Sequence, residues 1–405
     1  MEREVRNVAK SRSRLLLASL ISVCCLWCSI TSTGIAAAGP AHPPAVTPAP
    51  SAAAMAAYRR ALEEYTKARE AYDAVDKTYW NSISEKRKVR SAKRASGAQV
   101  VVDDYVLTQP PSYSGPSQPV NPSGPQPQVP TVYVPVVADF LNAAKQQFNF
   151  IPRRPGNELE FKRAYAKAAS AAGLTNDQAV RIYGFEATGN GTYDLQAGLE
   201  YNTPHAHAIT TALGYNQLLT TNSVELMAEA GDQFVKTLQA KATQLPDDLK
   251  NKLRSKIAVV QTMVDFAKSV PDDWGQHQLL AASPKGLGIH AMNLDVDVGP
   301  LLQTQKLLTS VLFARGRGHS AALSAAELEM MNLTGDGNGF DIVVMPLEWR
   351  DQVPTSNFFQ ESGYQDNPVA QRNNVVSKLI AATNTDMDEE VKKQGAKELA
   401  AAFSN

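Results

Sequence analysis

The chain has 405 residues, 43% of them hydrophobic, with 40 Lys and Arg against 40 Asp and Glu. That balance leaves no basic surplus for a dedicated nucleic-acid binder. Its three cysteines, Cys24, Cys25 and Cys28, sit together near the N-terminus. The remainder therefore lacks disulfides and relies on its core, which suits a domain of roughly 200 to 300 residues.

Residues 1–38 are expected to be an export signal. Arg3, Arg6, Lys10, Arg12 and Arg14 make a positive start, Leu15 to Ile30 is largely apolar, and Ala36-Ala37-Ala38 offers a cleavage site before Gly39. The competing expectation is an uncleaved anchor, because the apolar stretch is nearly long enough to span a bilayer. Either places the protein in the periplasm or outside the cell. Taking away the segment's five cations and two acids leaves 35 basic against 38 acidic residues.

Residues 39–55 form an Ala/Pro-rich linker. Residues 56–95 are expected to be a helix with Tyr58, Leu62, Tyr65, Tyr72, Val75 and Tyr79 on one stripe. It ends in six cations within nine residues, Lys86 to Arg94, either a solvated tail or a contact for an anionic surface. Val100 to Leu107 could make one strand. The stretch 96–131 is expected to act as a spacer, since nine prolines fall among the 26 residues from Pro110 to Pro135.

From about residue 132 the periodicity is helical. Val137, Phe140, Leu141, Ala144 and Phe148 mark one helix, and Phe161, Tyr165 and Ala168 a second. A third runs from a Thr175–Gln178 capping box to Glu186. Asn222 to Glu225 reads as a capping box for a fourth, and Leu249 to Val264 carries a fifth. Pro300 suits the first turn of a sixth, Ser324 with Glu327 caps a seventh, and two more fall near residues 370–382 and 388–403. Asn190-Gly191 signals a hairpin. The class is mainly α, a helical domain with a small β-hairpin behind an isolated helix and a Pro-rich spacer. Residues 132–282 would form the domain and 283–405 a helical extension packed on it.

Glu186 stands out chemically. Helical steps back from it reach Tyr183, Ile182 and Ala179, so the carboxyl projects from the apolar face, where lost hydration favours its protonated form. A general acid working near neutral pH needs that. The bland alternative is a helix-end Glu bonded to a neighbouring turn. Twenty-eight residues on comes Gly214-Tyr215-Asn216-Gln217, followed by a new helix.

Helix, terminal Glu, β-like turn, Gly-x-x-Gln and helix, over residues 177–224, resembles the lysozyme-like superfamily and within it the soluble lytic transglycosylases. Their Glu precedes a Gly-Leu-Met-Gln segment. Here Ala187-Thr188 follows Glu186 where that family usually has Ser. The resemblance implies an α+β lysozyme-like fold and an exported enzyme that cleaves peptidoglycan or a related amino-sugar glycan, as a lytic transglycosylase or a muramidase. Glu186 carries over as acid and then base. A hydrolase would need a second carboxylate, for which Asp194 is the candidate, although it could equally brace its turn. Asn216 and Gln217 are expected to contact substrate, and Tyr193 and Tyr215 to stack on sugar faces or pack in the core. The rival is a non-catalytic envelope protein with the same fold, binding glycan or serving as a scaffold.

No cofactor and no metal are expected. His205-Ala206-His207 lacks a third ligand, and Gly335 to Asp341 reads as a Gly-rich turn, because Val343 occupies the twelfth position of a Ca²⁺ loop. Asp295-Val296-Asp297 alternates like a short strand. His277, His290 and His319 allow Ser-His-Asp chemistry in composition only, as no nucleophile elbow surrounds a Ser. The stretch 354–367 receives no element.

Overall fold

The computed structural model describes residues 50–124, 133–199, 207–365 and 367–404. The residues expected to form an export signal, most of the Ala/Pro-rich stretch and His205 lie outside them. The described residues fall into two units. One comprises 50–100 and 108–124, the other 101–107 and everything from 133.

The smaller unit is built on α1 (Ala52–Ser96), capped by the Ser51 hydroxyl on Ala54 N at 3.1 Å and closed by left-handed Gly97. Tyrosines on one face of α1 hold the proline-rich segment. Tyr79 donates to Thr108 O at 3.0 Å and Tyr72 to Pro111 O at 3.3 Å, while Tyr113 packs edge-on against Tyr65 and Tyr72. Arg69 lies over the Tyr72 and Tyr113 rings. Prolines lack N–H groups, so extended backbone offers carbonyls that the phenols satisfy. Part of the stretch expected to be a spacer, Thr108 to Tyr113, is thus held against α1, and Ser123 Oγ meets Met55 Sδ at 3.2 Å. Val75, placed on the stripe by spacing, points away and is 59% exposed. We expect chymotrypsin to cut slowly after Tyr113, and faster in Tyr72→Ala. Equal rates would mean that the segment is not held.

The larger unit is mainly α and contains no sheet among the described residues. Its first helices are α2 (Val137–Phe148), α3 (Glu158–Ala171) and α4 (Asn176–Glu186). Then follow α5 (Thr220–Thr243), α6 (Asp247–Ala267), α7 (Trp274–Ala281), α8 (Pro284–His290) and α9 (Gly299–Gly316). After these come α10 (Ala325–Thr334), α11 (Asp336–Val343), α12 (Leu347–Arg350), α13 (Glu361–Gln365), α14 (Pro368–Arg372), α15 (Val376–Glu390) and α16 (Gln394–Ala402).

Two apolar cores organise it. Phe140, Phe161, Ile182, Leu328, Met331, Phe340, Met387 and Leu399 share the first. Helices after residue 283 therefore supply part of the same core as α2 to α4. The second joins α5 and α6 through Met227, Phe234, Val260 and Val264, with Ile289 of α8. A Cβ on Gly231 would meet Val264 Cγ2 at 2.3 Å, so glycine lets α5 and α6 approach closely.

Three expected elements differ. Val100 to Leu107 is not a strand, because the Asp104 carboxylate captures Val101 N at 2.8 Å and winds Val102–Asp104 into a 3-10 turn. Asn357 then takes the strand-partner role with its side chain, accepting from Val106 N at 2.9 Å and donating to Val106 O at 2.8 Å. Asp295-Val296-Asp297 is a turn into α9, fixed by Lys256, which pairs with Asp295 at 2.7 Å and also with Asp297. The Gly-rich stretch after Gly335 is helical from Asp336 onward.

Candidate functional site

The opening of α4 follows the expected capping box: Thr175 Oγ1 accepts from Gln178 N at 3.1 Å and Gln178 Oε1 from Thr175 N at 2.9 Å. Ile182, Tyr183 and Ala179 are wholly buried, and Glu186 at the helix end is 1% exposed. Asn332 of α10 donates from Nδ2 to Glu186 Oε1 at 2.8 Å and to Glu329 Oε2 at 3.2 Å. Glu329 is itself fully buried. One amide thus holds two buried carboxyls.

The turn after Glu186 folds back rather than forming a hairpin tip. Thr188 and Gly189 are left-handed, and a Cβ on Gly189 would meet Glu390 O at 2.3 Å. Tyr183 donates to Gly191 O at 2.8 Å, and Asn190 Oδ1 accepts from Gly395 N at 2.9 Å. The β character reduces to isolated antiparallel bridges, Gln196 with Leu213 and Leu213 with Leu218.

Asp194 and Tyr193 join a different group, centred on Arg154. Its guanidinium bonds the Tyr193 hydroxyl at 2.6 Å and pairs with Asp194, which also accepts from Thr192 Oγ1 at 2.7 Å. Glu158 accepts from Tyr193 N at 3.1 Å and from the Tyr215 hydroxyl. Burial raises the Glu158 carboxyl above its ordinary range, although Tyr215 and Tyr193 N pull the other way. Tyr215 is fully buried against Phe161, Tyr165 and Tyr183.

Asn216 and Gln217 shape the turn before α5. Gly214 is left-handed, and a Cβ there would meet Gln303 Nε2 at 2.5 Å. Asn216 N donates to Gln303 Oε1 and Asn216 Nδ2 to Gln303 O, both at 2.7 Å. Gln217 Nε2 donates to Gly214 O at 2.7 Å. Both donors are used internally, while Asn216 Oδ1 and Gln217 Oε1 have no donor. Polar bonds continue inward: Gln303 Nε2 reaches Asn293 Oδ1 at 3.0 Å, and Asn293 Nδ2 reaches Ser223 Oγ at 2.8 Å. Ser223 meets His290 Nδ1 at 2.8 Å, and burial lowers that imidazole to about 4. Ser223 and His290 are both fully buried.

Sequence reasoning missed Glu225. The expected cap at Asn222 lies one turn too late: α5 starts at Thr220, and Asn222 Oδ1 accepts from Leu219 N at 3.1 Å. Glu225 is thereby free of capping duty. Burial pushes it up to about 7; Lys306 opposes this, while Glu229, Asp272 and Asp336 repel its charge. Glu229 and Asp336 are raised as well, mainly by burial, and Ser310 Oγ donates to Asp336 Oδ1 at 2.6 Å. The available signal was the spacing of Glu225 and Glu229, which share one face of α5.

A carboxyl raised on folding stabilises fully below its unfolded value and loses that contribution as pH rises through the folded one. Glu225→Gln should therefore match wild type in urea melts near pH 4 and exceed it by about 2 kcal/mol near pH 8, after discounting for partial exposure. Parallel curves across that range would remove Glu225 from the acidic group.

Among the described residues no group of three or more His, Cys, Asp or Glu is arranged to hold a metal ion. The chain matches no family model, no curated protein and no solved structure.

Proposed function

We propose that the chain is an exported enzyme cleaving peptidoglycan or a related amino-sugar glycan, with a lysozyme-like domain and Glu186 as its acid/base. The observation that carries this reading is the buried pair Glu186 and Glu329 on one amide of Asn332. Burying carboxyls costs several kcal/mol that apolar residues of similar volume would not, so packing alone does not explain them. Costly ionisable groups gathered at one place favour function. The donor-free oxygens of Asn216 and Gln217 add acceptors suited to sugar hydroxyl and acetamido groups.

In the lytic transglycosylase route Glu186 gives its proton to the glycosidic oxygen as the bond to C1 breaks. It then takes the proton of the sugar's 6-hydroxyl as O6 closes on C1. Asp194 has no part in that route, and its pairing with Arg154 accords with a turn-bracing role.

A second reading, a non-catalytic glycan-binding or scaffold protein, is favoured by the burial of Glu186, Tyr215, Asn216 and Gln217. Incubating wild type and Glu186→Gln with peptidoglycan, followed by mass analysis, separates the two. Products from the wild type alone support the enzyme. Equal release, or none, leaves only the second reading.

A further inference from the structure

Four charged groups surround Glu225: Glu229 on the same face of α5, Asp272 before α7, Lys306 on α9 and Asp336 opening α11. Glu225, Lys306 and Asp336 are half-buried, whereas Glu229 and Asp272 are exposed, so the group opens to solvent. Four carboxyls against one ammonium leave three negative charges uncompensated when all are ionised. Among the described residues Lys306 forms no ion pair and Glu225 accepts no hydrogen bond, although burial penalises its charge. Side chains on a helix lean towards its N-terminus, so Glu225 lies over Thr221, one turn earlier on the same face. Thr221 is wholly buried and its hydroxyl has no partner.

The carboxyls do not converge on one point, since among the described residues no three acids are arranged to hold a metal ion. After burial, Asp272 acts most strongly on Glu229, which puts those two together at the exposed rim. Lys306 acts on Asp336 as well as on Glu225. The spread suits a ligand whose positive charges are themselves separated.

We propose that this group binds an aliphatic diamine, one ammonium held by Glu225 and the Thr221 hydroxyl and the other by Glu229 and Asp272. An ammonium has three donors and no acceptor, so it satisfies carboxylate and hydroxyl oxygens together. Hydrogen bonds between such charged groups are among the strong ones, and a chain of methylenes lets the two ends reach separate acids. The site shares no residue with the glycan-cleaving reading and stands whether or not the chain cleaves glycan.

Calorimetry on the full chain near pH 8 and at low salt tests this, with diaminobutane, charged at both ends, against aminobutane, charged at one. Aminobutane should bind wild type at least about tenfold more weakly than diaminobutane, and Glu225→Gln should weaken the diamine by about the same factor. Thr221→Val, which keeps the shape without the hydroxyl, should weaken it about threefold. Glu348→Gln, an exposed acid on α12, should leave it unchanged. Burial pushes Glu225 up to about 7, so it must lose a proton to receive the ammonium. Diamine affinity should therefore rise about tenfold from pH 6 to pH 8 in wild type and stay flat in Glu225→Gln.

Equal binding of the two amines, or of the diamine to wild type and Glu225→Gln, would reduce the effect to a counter-ion atmosphere and overturn the site. No binding of the diamine at millimolar concentration would overturn it too. Should thermal melts show that Glu225→Gln does not fold, Thr221→Val and the comparison of amines on wild type decide.

Discussion

Lys256→Met is expected to lower the unfolding free energy by about 3–5 kcal/mol, the usual penalty for removing one partner of a buried ion pair. Lys256 is almost wholly buried, 2.7 Å from Asp295, which is itself sealed and also accepts from Arg153 N, Asp297 N and Val298 N. Methionine fills the volume but leaves the Asp295 charge stranded. Burial opposes the charge on Asp297, yet Lys256 and Lys241 together outweigh it and hold the carboxyl at about 2. A carboxyl lowered on folding stabilises above its unfolded value, and that contribution fades as pH falls from about 4 towards 2. Wild type should lose about 2 kcal/mol over that window through Asp297, and Lys256→Met less. Urea midpoints across pH would measure both. A drop below about 1 kcal/mol at pH 7 would show that water reaches Asp295.

Glu186→Gln should reduce glycan cleavage about 10²–10⁴-fold, the range that a positioned acid/base contributes. The amide keeps the shape of the side chain and an oxygen for Asn332, so glycan affinity should change little. Asp194→Asn is the companion. Arg154 and Thr192 hold Asp194 in the turn, and near-normal turnover is expected for the single-acid route. A loss comparable to that of Glu186→Gln would require a second carboxylate and point to hydrolysis. Turnover of Glu186→Gln at the wild-type rate would remove the enzyme reading altogether.

Local signals were legible where both partners are close in sequence. Thr175 with Gln178 and Ser324 with Glu327 cap their helices as expected, and Pro300 sits in the first turn of α9. Distant partners overrode local pattern elsewhere. Asn190-Gly191 has hairpin composition, but Gly395 N takes the Asn190 side chain from 205 positions away. Val100 to Leu107 has strand composition, but Asp104 and Asn357 supply side-chain bonds where a ladder would be. The burial of Glu186 was readable from the helical face, whereas Asn332 and Glu329, some 140 residues later, carried no signal linking them to it. Proline density argued for a free spacer, whereas Tyr72 and Tyr79, about 30 to 40 positions earlier, take its carbonyls.

The closing of the Gly214–Gln217 turn by Gln303, nearly 90 residues downstream, bears on how the chain acquires its structure. Contacts of such separation require chain entropy to be lost before they give anything back, so they slow folding and form late. During synthesis, residues 214–223 leave the ribosome long before Asn293 and Gln303 exist to meet their amides. The amphipathic hairpin of α5 and α6 can assemble ahead of them, since its partners are adjacent. Mutations in the amide cluster should therefore speed unfolding more than they slow folding, whereas those at Gly231 or Val264 should act on the folding rate.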